Sequence, residues 1–60
     1  MFAPQDVAVG QHWTNFGLEV TVTQVSRDKV VFWSDTLGED FTCRCVVRFW
    51  IGTSDWVFVS

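Results

Sequence analysis

Between Leu18 and Ser34 apolar and polar residues alternate, and the alternation changes phase once. Leu18, Val20 and Val22 are apolar while Glu19, Thr21 and Thr23 are polar, the period-two rhythm of a strand with one face in a core. Val25 then falls on the face that Glu19, Thr21 and Thr23 had used. A β-bulge at Thr23-Gln24, or a strongly bent strand, accounts for the shift. After the polar turn Ser26-Arg27-Asp28-Lys29 comes Val30-Val31-Phe32-Trp33, apolar on both faces. Such a run lies between two covered faces or presents one of them to a partner. Either Val30 and Phe32 or Val31 and Trp33 point inward. The two arms fold into a hairpin around which the rest is organised.

Met1 to Gly10 is punctuated by Pro4 and Gly10, and reads as an arm leading into the fold. Gln11 to Phe16 forms a short first strand anchored by Trp13, and Asn15-Phe16-Gly17 turns the chain into the hairpin. Ser34 to Asp40 reads as a loop by its Asp, Ser and Gly content. Thr36 and Glu39 have capping-box spacing, but no helical run follows them. Phe41 to Arg48 alternates again, with Phe41, Cys43, Cys45 and Val47 on one face and Thr42, Arg44, Val46 and Arg48 on the other. That predicts a fourth strand. Phe49-Trp50-Ile51 ends at Gly52, Thr53-Ser54-Asp55 turns, and Trp56 to Val59 is the last strand. No segment shows ten residues of helical periodicity, and there is no internal repeat or linker. The expectation is one all-β domain over residues 1–60, five short and mainly antiparallel strands bent into a small barrel or roll, since closure removes exposed edges. Trp13, Val20, Val22, Val31, Phe41 and Val47 are the expected core.

Composition sharpens this picture. A chain of 60 residues buries only about 60% of the surface its unfolded form exposes, so stability should be marginal. With 48% hydrophobic residues, four Trp and six Phe, the chain is too apolar to be disordered, and its aromatics supply volume that length cannot. A small barrel cannot hide all of these rings, which leaves some for a groove or an interface. Four basic against seven acidic residues give a net charge of −3, the wrong balance for a phosphate-tracking surface. No run of 18 apolar residues occurs, and Met1 to Gly10 has neither the basic start nor the apolar run of a secretory signal. The expected location is the cytoplasm, with no membrane association, and two cysteines without a disulfide framework agree with it.

The order Gly10-Gln11-x-Trp13, Val20-x-Val22-x-x-Val25, a charged turn, Val30 to Trp33, an acidic Gly-containing loop and Phe49-x-x-Gly52 resembles the short SH3-like barrel proteins of unassigned function encoded by bacteriophages and prophages. The resemblance spans nearly the whole chain and lies in strand rhythm. It implies an SH3-like barrel and a phage or prophage accessory protein working in the host cytoplasm, and it brings no functional residue with it. The chain has no Tyr and lacks the tyrosine-rich groove of signalling SH3 domains, so recognition of proline-rich peptides is not implied.

Little in the chain points to catalysis. His12 is the only imidazole, and a Cys-His nucleophile would need His12 to reach Cys43 or Cys45 through the fold. Cys43 and Cys45 are expected on the apolar face of a strand, as reduced and inert core thiols. A disulfide between them is disfavoured by geometry, and two Cys with one His fall short of a zinc set. Arg44 and Arg48, on one strand face, are expected to pair with Glu19, Asp35 or another local acid. Asp35, Glu39 and Asp40 lack calcium-loop spacing. The glycines stand singly, so no phosphate loop is present. No cofactor, metal or enzymatic turnover is expected.

What remains is a non-catalytic protein-binding module that docks on a host protein. Trp33 and Trp50 would be its anchors and Asp35, Glu39 and Asp40 its acidic rim, facing a basic site on the partner. Two other functions are weighed beside it: a small nucleic-acid-binding barrel that stacks bases on exposed aromatics, disfavoured by charge, and a structural or assembly protein. Trp56-Val57-Phe58-Val59, apolar and without a charged gatekeeper, further predicts a homodimer through an uncovered edge.

Overall fold

Turn chemistry sets the first hairpin. In the computed structural model, which describes Pro4 and residues 6–60, Asn15 faces Leu18 across a two-residue turn in which Phe16 (φ 52°) and Gly17 (φ 83°) both lie at positive φ. Two positive φ values in a row make the type I′ arrangement whose twist matches the flanking strands. Glycine adopts it freely, whereas an aromatic residue there is strained. The strands so joined are β1 (His12–Asn15) and β2 (Leu18–Val25). The register of β2 against β3 (Lys29–Ser34) slips between Val22 and Gln24, so Thr23 is the extra residue of a bulge. The phase change at Thr23-Gln24 announced it. Its effect is to turn Val25 back toward the core.

Across β3, Val30 and Phe32 face the core and Trp33 points away, 47% exposed. The third hairpin is tighter than the expected loop. Ser34 pairs with Gly38, so Glu39 and Asp40 already belong to β4 (Gly38–Cys43). Gly38 enters that strand at φ 77°, and the buried Ser34 Oγ accepts from the N–H groups of Thr36 and Leu37 at 3.2 and 3.4 Å. A buried hydroxyl is tolerated because it holds the turn.

The expected fourth strand is corrected beyond Cys43. Residues Arg44–Gly52 form a helix, α1, packed against β3, β4 and β5 (Trp56–Phe58). Val47, Trp50 and Ile51 stand three and four residues apart and all pack into the core, the spacing of one helical face. Over Phe41 to Arg48 the same letters also fit a period of two, and β-branched Val46 and Val47 favour a strand. Packing overrides that preference. The chain leaves the sheet where Arg44 N–H donates to Asp28 O at 2.9 Å, and it leaves the helix through Thr53, whose N–H reaches Phe49 O at 3.0 Å.

Five antiparallel strands form one sheet in the order β4-β3-β2-β1-β5. The all-β expectation holds, with one short helix added. Closure of the barrel does not: β4 and β5 are the two edges of an open sheet, and α1 bridges the gap between them. Nine residues of helix occupy the place where edge-to-edge pairing would have closed it.

The core gathers Val7, Trp13, Val20, Val22, Val30, Phe32, Val47 and Trp56. Trp56 is its hub, with Trp13 at 5.8 Å, Phe32 edge-on at 5.5 Å and Trp50 stacked at 6.1 Å between ring centroids. Trp rings of this kind bury about 150–250 Å² each, which is how so short a chain fills an interior. Of the expected core, Trp13, Val20, Val22 and Val47 are in place, and Val31 is buried outside the main cluster. Phe41 is corrected: it is 65% exposed, opposite Val31 on the outer side of β4, with Lys29 Nζ 5.3 Å from its ring centre.

The N-terminal arm is tied down where it is described. Val7 enters the core, Gly10 N–H donates to Val22 O at 2.9 Å, and Asp6 Oδ2 binds Arg44 at 2.8 Å and Arg48 at 3.0 Å. The two arginines share a helical face rather than a strand face, and the acid they find is Asp6. Met1, Phe2, Ala3 and Gln5 lie outside the described residues. Among the described residues no helix is long and apolar enough to cross a membrane.

Candidate functional site

The open edge leaves a cleft. Its floor is the inner face of the sheet, where Leu18, Val20 and Phe32 meet Ser34. One wall is the Asn15-Phe16 turn with Trp50 of α1, and the other is Leu37 of the last hairpin turn with Asp40 and Thr42 of β4. The enclosed space is about 320 Å³, at the lower end of small-ligand pockets. Phe16, 65% exposed, stands edge-on to Trp50 with centroids 5.3 Å apart and planes at 82°. The stacking of Trp50 on Trp56 at 17° fixes that wall to the core. Asn15 is only 9% exposed, and its Oδ1 has no hydrogen-bond partner among the described residues. Asp40 accepts from the N–H of Phe41 at 2.8 Å and makes no ion pair among the described residues. Strand alternation puts Asp40 opposite Phe32, hence on the cleft side.

The five residues expected to bind a partner are sorted by the sheet onto two faces. Trp50 and Asp40 line the cleft. Trp33 and Glu39 face each other across β3 and β4 on the outer face, in a row with Thr21 and His12. Asp35 joins them, accepting from Trp33 Nε1 at 3.3 Å. A second, shallower hollow of about 250 Å³ lies there beside Glu19, Thr21 and Thr36. Adjacent residues in a strand point to opposite sides, so Glu39 and Asp40 cannot form one acidic rim.

Phe16, Leu37 and Asn15 are cleft residues that reading the sequence did not single out. One signal pointed to Phe16: an aromatic between Asn15 and Gly17, where a hairpin turn favours Asn or Gly. The structure shows that aromatic at positive φ and open to solvent, a conformation that costs the turn energy.

The cysteines are corrected. Cys43 and Cys45 are both free and exposed, not core thiols: Cys43 shares the outer face of β4 with Phe41, and at Cys45 the helix has begun where the strand was expected to continue. Cys43 is the residue before the first helical turn, in extended conformation. Its pKa is lowered, first by the Cys45 thiol hydrogen-bonded to its sulfur and then by the N–H groups of Cys45 and Val46. The Cys45 thiol is pushed up, chiefly by the same contact. His12 bonds Thr21 Oγ1 through Nδ1 at 3.0 Å on β1, three strands from β4, about 14 Å at ordinary strand spacing. The imidazole and the thiols are therefore not brought together. No group of three His, Cys, Asp or Glu able to hold a metal occurs among the described residues.

Compared with protein-family models, curated proteins and solved structures, the chain matches none of them.

Proposed function

We propose that this chain is a non-catalytic protein-binding module that takes a segment of a partner protein into the cleft between β4 and α1, in the manner of an accessory protein acting on a host protein. The observation that carries this reading is the cleft's first wall, where Phe16 is held at positive φ and 65% exposed against Trp50. Aromatic anchors beside a pocket are where binding energy concentrates. The acidic balance of the chain supports a protein partner over nucleic acid. So does the engagement of Arg44 and Arg48 by Asp6, which takes two of the four basic residues out of a phosphate-binding role.

The test compares baits. Tagged wild type, Phe16→Asn and Trp33→Ala are used for affinity capture from the natural host's lysate, with quantitative mass spectrometry. A protein enriched by wild type and by Trp33→Ala but lost with Phe16→Asn is the expected result. Loss with Trp33→Ala alone would move the site to the outer face. Salt-sensitive binding of single-stranded DNA would replace the reading with the nucleic-acid alternative.

A further inference from the structure

We propose that the occupant of the cleft is an arginine side chain of the partner, its guanidinium held against the Phe16–Trp50 wall with its N–H groups directed to Asp40. This rests on the cleft being the binding site. It follows from what the cleft lacks as much as from what it has.

Its lining is apolar apart from a few acceptors, and among the described residues no Lys or Arg lines it. An apolar occupant would strip water from the Asp40 carboxylate and leave it with the Phe41 N–H but no countercharge, and such a loss counts against binding. An anionic occupant would meet Asp40 in a chain of net charge −3. A cation meets neither objection. The faces of Trp and Phe rings attract it, and the carboxylate neutralises it. Its aliphatic stem covers Leu18 and Leu37.

Between the two basic side chains, arginine fits the acceptor set better. Asp40 comes from the edge strand and the Phe16–Trp50 wall from the hairpin turn and α1, on opposite sides of the cleft. A planar fork with five donors can donate to a carboxylate on one side while lying flat on a ring on the other. An ammonium is a compact, strongly hydrated charge that gives up more on entering an aromatic-walled space.

The experiment titrates ¹⁵N-labelled full chain with three capped tripeptides, acetyl-Gly-Xaa-Gly-amide, where Xaa is arginine, lysine or citrulline. Citrulline keeps the shape and removes the charge. The arginine peptide should move the Phe16 and Asp40 amides and the Trp50 indole N–H, with the lysine peptide weaker and citrulline about tenfold weaker or worse. Asp40→Asn should weaken the arginine peptide about fivefold or more, and Phe16→Asn should weaken it while the spectrum stays folded. Equal binding of arginine and citrulline overturns the proposal, as does binding that moves only Trp33, Asp35 and Glu39. So does the absence of any cleft shift at about 10 mM arginine peptide. If Phe16→Asn abolishes partner capture while arginine and citrulline bind alike, the binding module stands and the arginine falls. If capture ignores Phe16→Asn, the assignment of binding to the cleft falls first, and the arginine with it.

Discussion

Trp33 and Trp50 are both aromatic residues near acids, and the fold gives them opposite situations. Trp33 lies across the outer face of β3, 47% exposed, with Asp35 on its indole N–H as its one side-chain hydrogen bond. Trp50 is half-buried, stacked on the core Trp56 and braced edge-on by Phe16. The first is a surface ring that could be removed without disturbing the interior. The second is part of the interior that also forms the wall of a cleft. A binding residue of the second kind is rigid before its partner arrives, so less ordering entropy is lost on association. It is also the harder one to test by truncation, because under the proposed function the same ring would serve both stability and recognition.

Substitution of the two rings should separate these roles. Trp50→Ala is expected to cost about 3 kcal/mol, the usual scale for a large aromatic packed on a core, and in so small a domain that approaches the whole stability. Trp33→Ala should cost less than about 1 kcal/mol. Urea unfolding followed by far-ultraviolet dichroism measures both, and comparable losses would place Trp33 in the structural frame too. Phe16→Asn is the informative third variant. It gives up the edge-on contact with Trp50 but installs the Asn-Gly pair that a type I′ turn prefers, so stability should stay within about 1 kcal/mol of wild type.

How far the fold was legible follows from the same residues. In β2 the alternation was written plainly, and its one phase error located the bulge at Thr23. In β3 four apolar residues in a row left the inward face undecided, and only packing assigned Val30 and Phe32 to it. In Phe41 to Arg48 the letters fit two periods. A strand reading puts Phe41, Cys43, Cys45 and Val47 together; in the fold, Phe41 and Cys43 lie on the outer face of β4, and a helix beginning at Arg44 buries Val47 on a different element while leaving Cys45 in solvent. Local preference could not decide, because the deciding term is tertiary: α1 covers the gap left by an unclosed sheet. The residues of the expected binding surface are divided between two faces for a related reason. Nearness in sequence joined Glu39 and Asp40, and strand geometry separates them. Asp40 and Trp50 are ten positions apart and lie in one cleft, which only the turn into α1 brings about.

The two faces should also differ in acid. The inner face depends on α1, and α1 is tied to the N-terminal arm by Asp6 between Arg44 and Arg48. Partial burial pushes the Asp6 carboxyl up, but the guanidinium groups of Arg44 and Arg48 and the N–H of Val7 outweigh it and hold it below the usual 3.8. A folded-state value below the unfolded one means that this contribution is complete above the unfolded value and lost as pH falls through the folded one. Asp6→Ala should therefore cost about 1 kcal/mol at neutral pH, modest because the pair is partly exposed. The difference between wild type and variant should vanish once pH drops below the folded value. Chemical denaturation of both proteins from pH 7 down to about 2 measures it. A gap that persists unchanged in acid would mean that Asp6 acts through packing and not through charge.

The smallest effect on stability, and the sharpest difference in chemistry, is expected at the junction of β4 and α1. Cys43 and Cys45 lie outside the core, so Cys43→Ser should change stability by no more than about 0.5 kcal/mol. Their reactivities should diverge. The Cys45 thiol and the first N–H groups of the helix favour the thiolate at Cys43 and disfavour it at Cys45, and the thiolate is the species that attacks an alkylating agent. Iodoacetamide at neutral pH should label Cys43 first, which mass spectrometry of tryptic peptides resolves because Arg44 lies between the two cysteines. In Cys43→Ser the contact that raises Cys45 is weakened, so Cys45 should label faster than it does in wild type. Equal labelling of the two thiols would mean that exposure alone governs them. A reversed order would mean that Asp28, whose charge opposes the Cys43 thiolate, outweighs the helix N-terminus.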